Sequence, residues 1–108
     1  MPKFVFIIKD KDPAVLTRDL YYRHISHLKQ QAGAQRLYLV GPLKGQDKLL
    51  QVVQAETSEE AQEIVNSDPY VKEGVYQAYE CYELLESNEA NNWLMDTPRI
   101  QEMLRELK

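Results

Sequence analysis

Two periodicities alternate along this chain. Lys3 to Lys9 is a β-branched and aromatic run bounded by charges, which predicts a strand buried on both faces. Asp12-Pro13 then places a favoured N-cap before the residue favoured at the first helical position. The spacing predicts a helix from Pro13 to about Ala32, closed by Gly33. Leu20, Tyr21, Ile25, Leu28 and Ala32 follow the helical repeat, and Arg18, Arg23 and Lys29 fall off the stripe. Arg36 to Val40 predicts a second strand stopped by Gly41-Pro42, Leu43 to Asp47 a hairpin connection, and Leu49 to Ala55 a third strand. Thr57 and Glu60 form a capping box for a helix that turns Ala61, Ile64 and Val65 inward and ends near Asn66. Asp68-Pro69 repeats the cap-plus-proline signal, opening a short helical turn that Gly74 closes. Val75 to about Leu84 predicts a fourth strand. Its alternation is imperfect, because Glu80 shares a face with Tyr76, Ala78, Tyr82 and Leu84, as a bulge of unassigned position would explain.

The order strand, helix, strand, strand, helix, strand predicts an α+β domain, the ferredoxin-like βαββαβ arrangement with an antiparallel sheet. Two helices on one face leave the other face uncovered. The apolar first strand and the aromatic-rich last one predict that a second copy covers it, as a homodimer. From Glu86 the chain changes character, which divides it into a domain over 1–85 and a C-terminal extension over 86–108. Ser87 to Asn92 is a polar linker, Trp93-Leu94-Met95 an apolar cluster, and Asp96-Thr97-Pro98 the start of a helix with Ile100, Met103, Leu104 and Leu107 in one stripe. So short a helix needs a surface to rest on. The expected surface is the chain's own domain or its dimer mate, and the other reading is a recruitment helix for a protein partner.

Composition narrows the function classes. Hydrophobic residues at 44% and charged residues at 28% are ordinary for a globular protein, and 108 residues suffice for one core. A net charge of −4 with both signs interspersed argues against nucleic acid as the partner. Arg36 to Val40 also lacks the basic, aromatic pattern of an RNA-binding central strand. Cys81 is the one cysteine, so neither an intrachain disulfide nor a cysteine-based metal cage forms. The apolar run Phe4 to Ile8 is too short for a signal peptide and no segment approaches a membrane span, so the expected location is cytoplasmic. Gly-rich phosphate loops, zinc spacings and serine or cysteine nucleophile signatures are missing, and the reading calls for no metal and no cofactor.

What remains is a histidine and an aspartate. His24 lies four residues from both Leu20 and Leu28, inside the apolar stripe, with His27 at the stripe's edge. The plainer reading makes His24 a packed core residue and Asp68 a simple cap. The sharper one pairs them: a carboxylate accepting from one ring nitrogen fixes tautomer and orientation, and the other nitrogen then carries protons near neutral pH. Tyr21 and Tyr70 are the candidate substrate-contacting walls, each also explicable as packing.

The segments His24-Ile25-Ser26-His27-Leu28, Arg36 through Gly41-Pro42, Glu60-Ala61-Gln62, and Ser67-Asp68-Pro69-Tyr70-Val71 through Gly74-Val75-Tyr76 together resemble the YciI-related domain family, over roughly Lys3 to Leu84. The resemblance implies a dimeric α+β barrel with an active site built from His24 and Asp68. It implies acid/base chemistry, of dehydrochlorinase (lyase) or isomerase type, on a small oxygenated ring compound, aromatic or quinone-like. Tyr21 stands where members of the family often carry arginine, and the glycine they carry at the position of Gln35 is here Gly33. The extension from Glu86 has no counterpart in the short members. A reading from another class is a non-catalytic binding or adaptor domain acting through its dimer and C-terminal helix. A third is haem handling, since α+β barrels hold haem beside a histidine.

Overall fold

The computed structural model describes all of residues 1–108. The elements run β1 (Lys3–Lys11), α1 (Arg18–Gly33), β2 (Leu37–Pro42), β3 (Leu49–Gln54), α2 (Ser58–Asn66), α3 (Pro69–Lys72) and β4 (Tyr76–Leu84), then a 3-10 turn (Glu89–Leu94) and α4 (Pro98–Glu106). The sheet order is β2-β3-β1-β4 with every neighbouring pair antiparallel, the ferredoxin-like arrangement. No helix is long and apolar enough to cross a membrane.

Alternation along β1 sets the two faces. Phe4, Phe6 and Ile8 are buried beneath the helices with Val53, Leu20, Ile64 and Val65. Each large apolar side chain so buried contributes about 2 kcal/mol. Val5 and Ile7 point the other way and are only partly covered, so β1 is buried on one face rather than two. On that outer face Tyr82 is 56% exposed, and Leu39 and Tyr38 are exposed as well. The bulge lies in β2, between Leu37 and Leu39, where Tyr38 is the inserted residue. β4 is regular, and Glu80 sits on the outer face because Lys9 reaches it at 3.4 Å while Tyr82 Oη donates to it at 2.6 Å.

α1 begins five residues later than the cap-plus-proline signal predicts. Asp12 spends its carboxylate on the amide of Ala14 at 3.1 Å, and its own amide donates to the Val75 carbonyl at 2.7 Å, which ties the turn to the entry of β4. Thr17 caps the helix instead, accepting from the amide of Leu20 at 3.1 Å. Along α1 only Leu20 and His24 are buried. Thr57 caps α2 as its sequence predicts, accepting from the amide of Glu60 at 3.1 Å.

The extension leaves from the outer face. Glu86 accepts from Lys3 Nζ at 2.9 Å and from Tyr38 Oη at 3.1 Å, bridging two strands of the sheet. Asn88 and Asn91 then cap one another reciprocally. Asn92, Trp93 and Leu94 are successive left-handed residues, with φ of 52°, 58° and 63°. That reversal carries α4 away from the body, and the molecule measures 54 × 29 × 23 Å. No residue of α4 is buried, and its apolar stripe faces outward at Met103, Leu104 and Leu107. Docking of this helix on its own domain, one of the two expected surfaces, does not occur.

Candidate active site

The site is assembled where α3 meets α1 and β3. Pro69 occupies the first position of α3, and Asp68 before it has the extended backbone of an N-cap. Its Oδ1 accepts from the amide of Tyr70 at 2.9 Å, as a cap should. The same oxygen lies 2.7 Å from His24 Nδ1, and Oδ2 accepts from Gln51 Nε2 at 2.9 Å. The cap and the histidine partner are therefore one carboxylate in two roles. Asp68 is fully buried, and three donors satisfy it.

A carboxylate only accepts, so His24 Nδ1 is the donor and Nε2 of the neutral ring carries the free lone pair. That nitrogen makes no hydrogen bond within the protein and is not sealed from solvent. His24 forms part of the wall of a cavity of about 390 Å³. Tyr70 stacks on the imidazole with ring centroids 3.7 Å apart and planes within 1° of parallel. Ile25, Leu28, Val40 and Leu49 give the cavity apolar walls. Tyr21 lies on it from the exposed side of α1, and Tyr76 and Lys11 complete it. Asp68 stands behind the ring and does not line the cavity. Burial pushes the phenols of Tyr70 and Tyr76 upward, so both remain neutral donors at neutral pH.

The Asp68 turn is fastened from both ends. Arg23 on α1 bridges to Glu73 at the end of α3 and to Asp19 at 2.8 Å, which holds the Glu73 carboxyl below its ordinary range. Gln51 secures the other side and is the residue that sequence reasoning missed. Its signal was a polar side chain at an inward position of β3, between Leu49 and Val53.

His27, three residues from His24, has no comparable role. Its Nε2 is buried without a partner, as is Oε1 of Gln31 one turn later. Burial lowers its pKa first, the Asp68 charge works against that, and His24 adds to the lowering. No three metal-ligating side chains gather anywhere in the chain. A larger depression of about 740 Å³ lies over Val71 to Gly74 and the start of β4, and neither His24 nor Asp68 reaches it.

The family model described as YCII-related domain matches residues 3–85. Among solved structures, a 5-chloro-2-hydroxyhydroquinone dehydrochlorinase from Burkholderia phenoliruptrix AC1100, in complex with 2,5-dihydroxybenzoquinone, superposes with a TM-score of 0.65 at 21% identity. The match covers 83% of this chain and 99% of that one, a likeness of fold. Comparison with curated proteins finds no match.

Proposed function

This chain belongs to the YCII-related domain family, and on that premise we propose that it is an acid/base enzyme in which His24 moves a proton at a small oxygenated ring compound. The observation that carries the reading is the polarity of one imidazole. Nδ1 is committed to a buried carboxylate, and Nε2 is free in a cavity with apolar walls. In that arrangement Asp68 holds the ring's tautomer and orientation and offsets the charge of the imidazolium that proton uptake creates. Tyr70 keeps the imidazole flat against its face, and Leu28, Leu49 and Tyr76 are among the apolar and aromatic side chains that line the cavity beside it, which suits a ring compound. The quinone bound to the structurally similar dehydrochlorinase supplies the chemical class.

The test follows proton transfer directly. 2,5-Dihydroxybenzoquinone in D2O is observed by proton NMR with and without the protein. The wild type should accelerate exchange of the ring protons with solvent, and His24→Asn should abolish the acceleration. Equal exchange with both proteins would defeat the reading. A companion measurement uses the ring nitrogen shifts of His24, which report where the proton sits. Asp68→Asn, which retains the cap, should disturb the Nδ1–H tautomer that the carboxylate selects.

The partly covered outer face, with Val5, Ile7, Tyr82 and Leu84, supports a working unit of two copies with their sheets opposed. Light scattering at micromolar concentration should give twice the chain mass. A second reading draws on the extension: α4 exposes Met103, Leu104 and Leu107 of its apolar stripe, and Trp93 is 59% exposed, which suits recruitment of a protein partner by the domain.

A further inference from the structure

We propose that Lys11 is the anion-binding group of this cavity and that the ligand it selects carries an ionised or ionising ring oxygen, a phenolate or an enolate. The inference rests on the acid/base reading of His24 and adds a second catalytic group to it. No carboxylate lines the cavity, and Lys11 is the lysine or arginine that does. Its ammonium forms no ion pair within the chain, unlike those of Lys3 and Lys9 on the same strand. A cation beside apolar walls with no ion pair of its own is open to an anion brought from outside.

The backbone supplies an independent argument. In β1 the odd-numbered positions Val5, Ile7 and Lys9 face away from the helices, and Lys9 and Lys11 register with Ala78 and Tyr76 of β4. Strict alternation would send Lys11 outward with them, yet it shares a cavity with His24 on the helix side. Between Lys9 and Lys11 stands Asp10 with a φ of 60°, left-handed backbone inside a strand. Such a conformation at a non-glycine residue persists only where its surroundings enforce it, and here it stands immediately before Lys11.

The chemistry closes without any further reactant. His24 Nε2 accepts a proton from a ring hydroxyl, or from a ring C–H activated by a carbonyl. The bonding electron pair stays with the ligand and its charge settles on oxygen. The ammonium of Lys11 meets that oxygen, while Asp68 offsets the charge gained by the imidazole. A cation beside an apolar-walled cavity stabilises such an oxyanion more than water would.

The test uses 4-nitrophenol, whose anion is coloured and whose neutral form is not. Absorbance titrations on either side of its ionisation give separate affinities for phenolate and phenol. The wild type should bind the phenolate more tightly. Lys11→Met should lower phenolate affinity about tenfold or more, the loss expected for a charge-assisted hydrogen bond, and leave phenol affinity unchanged. Lys11→Arg should restore most of the phenolate preference. Equal phenolate affinity in the wild type and Lys11→Met overturns the proposal, as does a wild type that binds neither form or shows no preference. Thermal melts confirm that the variants fold. Failure of the acid/base reading shows separately: phenolate binding would depend on Lys11, while His24→Asn left quinone proton exchange unaltered.

Discussion

The body and the extension use the same sequence signals and reach opposite outcomes. In residues 3–85, α2 turns Ala61, Ile64 and Val65 inward, and all three are buried. In the extension, α4 is more sharply two-faced than either α1 or α2, yet buries nothing. Hydrogen bonds divide the same way. The Asp68 carboxylate holds three donors out of water, whereas the Asn92 to Asp96 bond of 2.9 Å and the Asn88–Asn91 cap lie exposed. A two-faced pattern says that a helix has something to bury and leaves open what buries it. A hydrogen bond made in the interior likewise carries more weight than an equal one at the surface, because its loss leaves an unsatisfied group.

The sharpest way to break this contrast is Asp68→Ala. It removes a cap and strands His24 Nδ1 and Gln51 Nε2 in the interior, so urea unfolding should show a loss of about 3 kcal/mol. A loss below 1 kcal/mol, the ceiling for an ordinary exposed pair, would erase the distinction. Gln51→Leu should cost about 2 kcal/mol, since Oδ2 of Asp68 then lies buried without its donor. Removing residues 96–108 should move the unfolding free energy by no more than about 0.5 kcal/mol, as expected for surface changes. A greater loss would mean that α4 rests on a second copy after all.

The smallest effect concerns pH. His27 titrates below its ordinary value in the folded state, so between that lowered value and about 6.5 the unfolded chain binds more protons than the folded one. Stability therefore rises with pH through that window and falls on acidification. His27→Phe should flatten that part of the profile, as thermal melts from neutral pH downward would show. An unchanged slope would assign it to other groups.

Periodicity made most of the body legible, because in it each local signal agrees with its tertiary setting. Asp12-Pro13 was the exception: Thr17, five residues on, makes the cap, and a hydrogen bond to Val75 keeps Asp12 in a turn. The His24–Asp68 contact was foreshadowed by a histidine in an apolar stripe and a carboxylate at a capped turn. Gln51 was visible as a polar residue at an inward strand position, once the faces of β3 are fixed. Lys11 was not legible, because alternation along β1 places it on the outer face and does not encode the left-handed backbone of Asp10 before it. The direction of the extension depends on three consecutive left-handed residues, none of them glycine.

The stack of Tyr70 on His24 has a spectroscopic consequence. With parallel rings at 3.7 Å, the tyrosine's circulating π-electrons shield the imidazole protons above its face. The chain contains only two histidines. Their Cε1 protons, one per ring, should therefore give two separated signals in a one-dimensional spectrum, with that of His24 displaced upfield. Replacing Tyr70 by leucine would return that signal toward its ordinary position, so the residue proposed to carry the chemistry can be observed by itself without isotopic labelling.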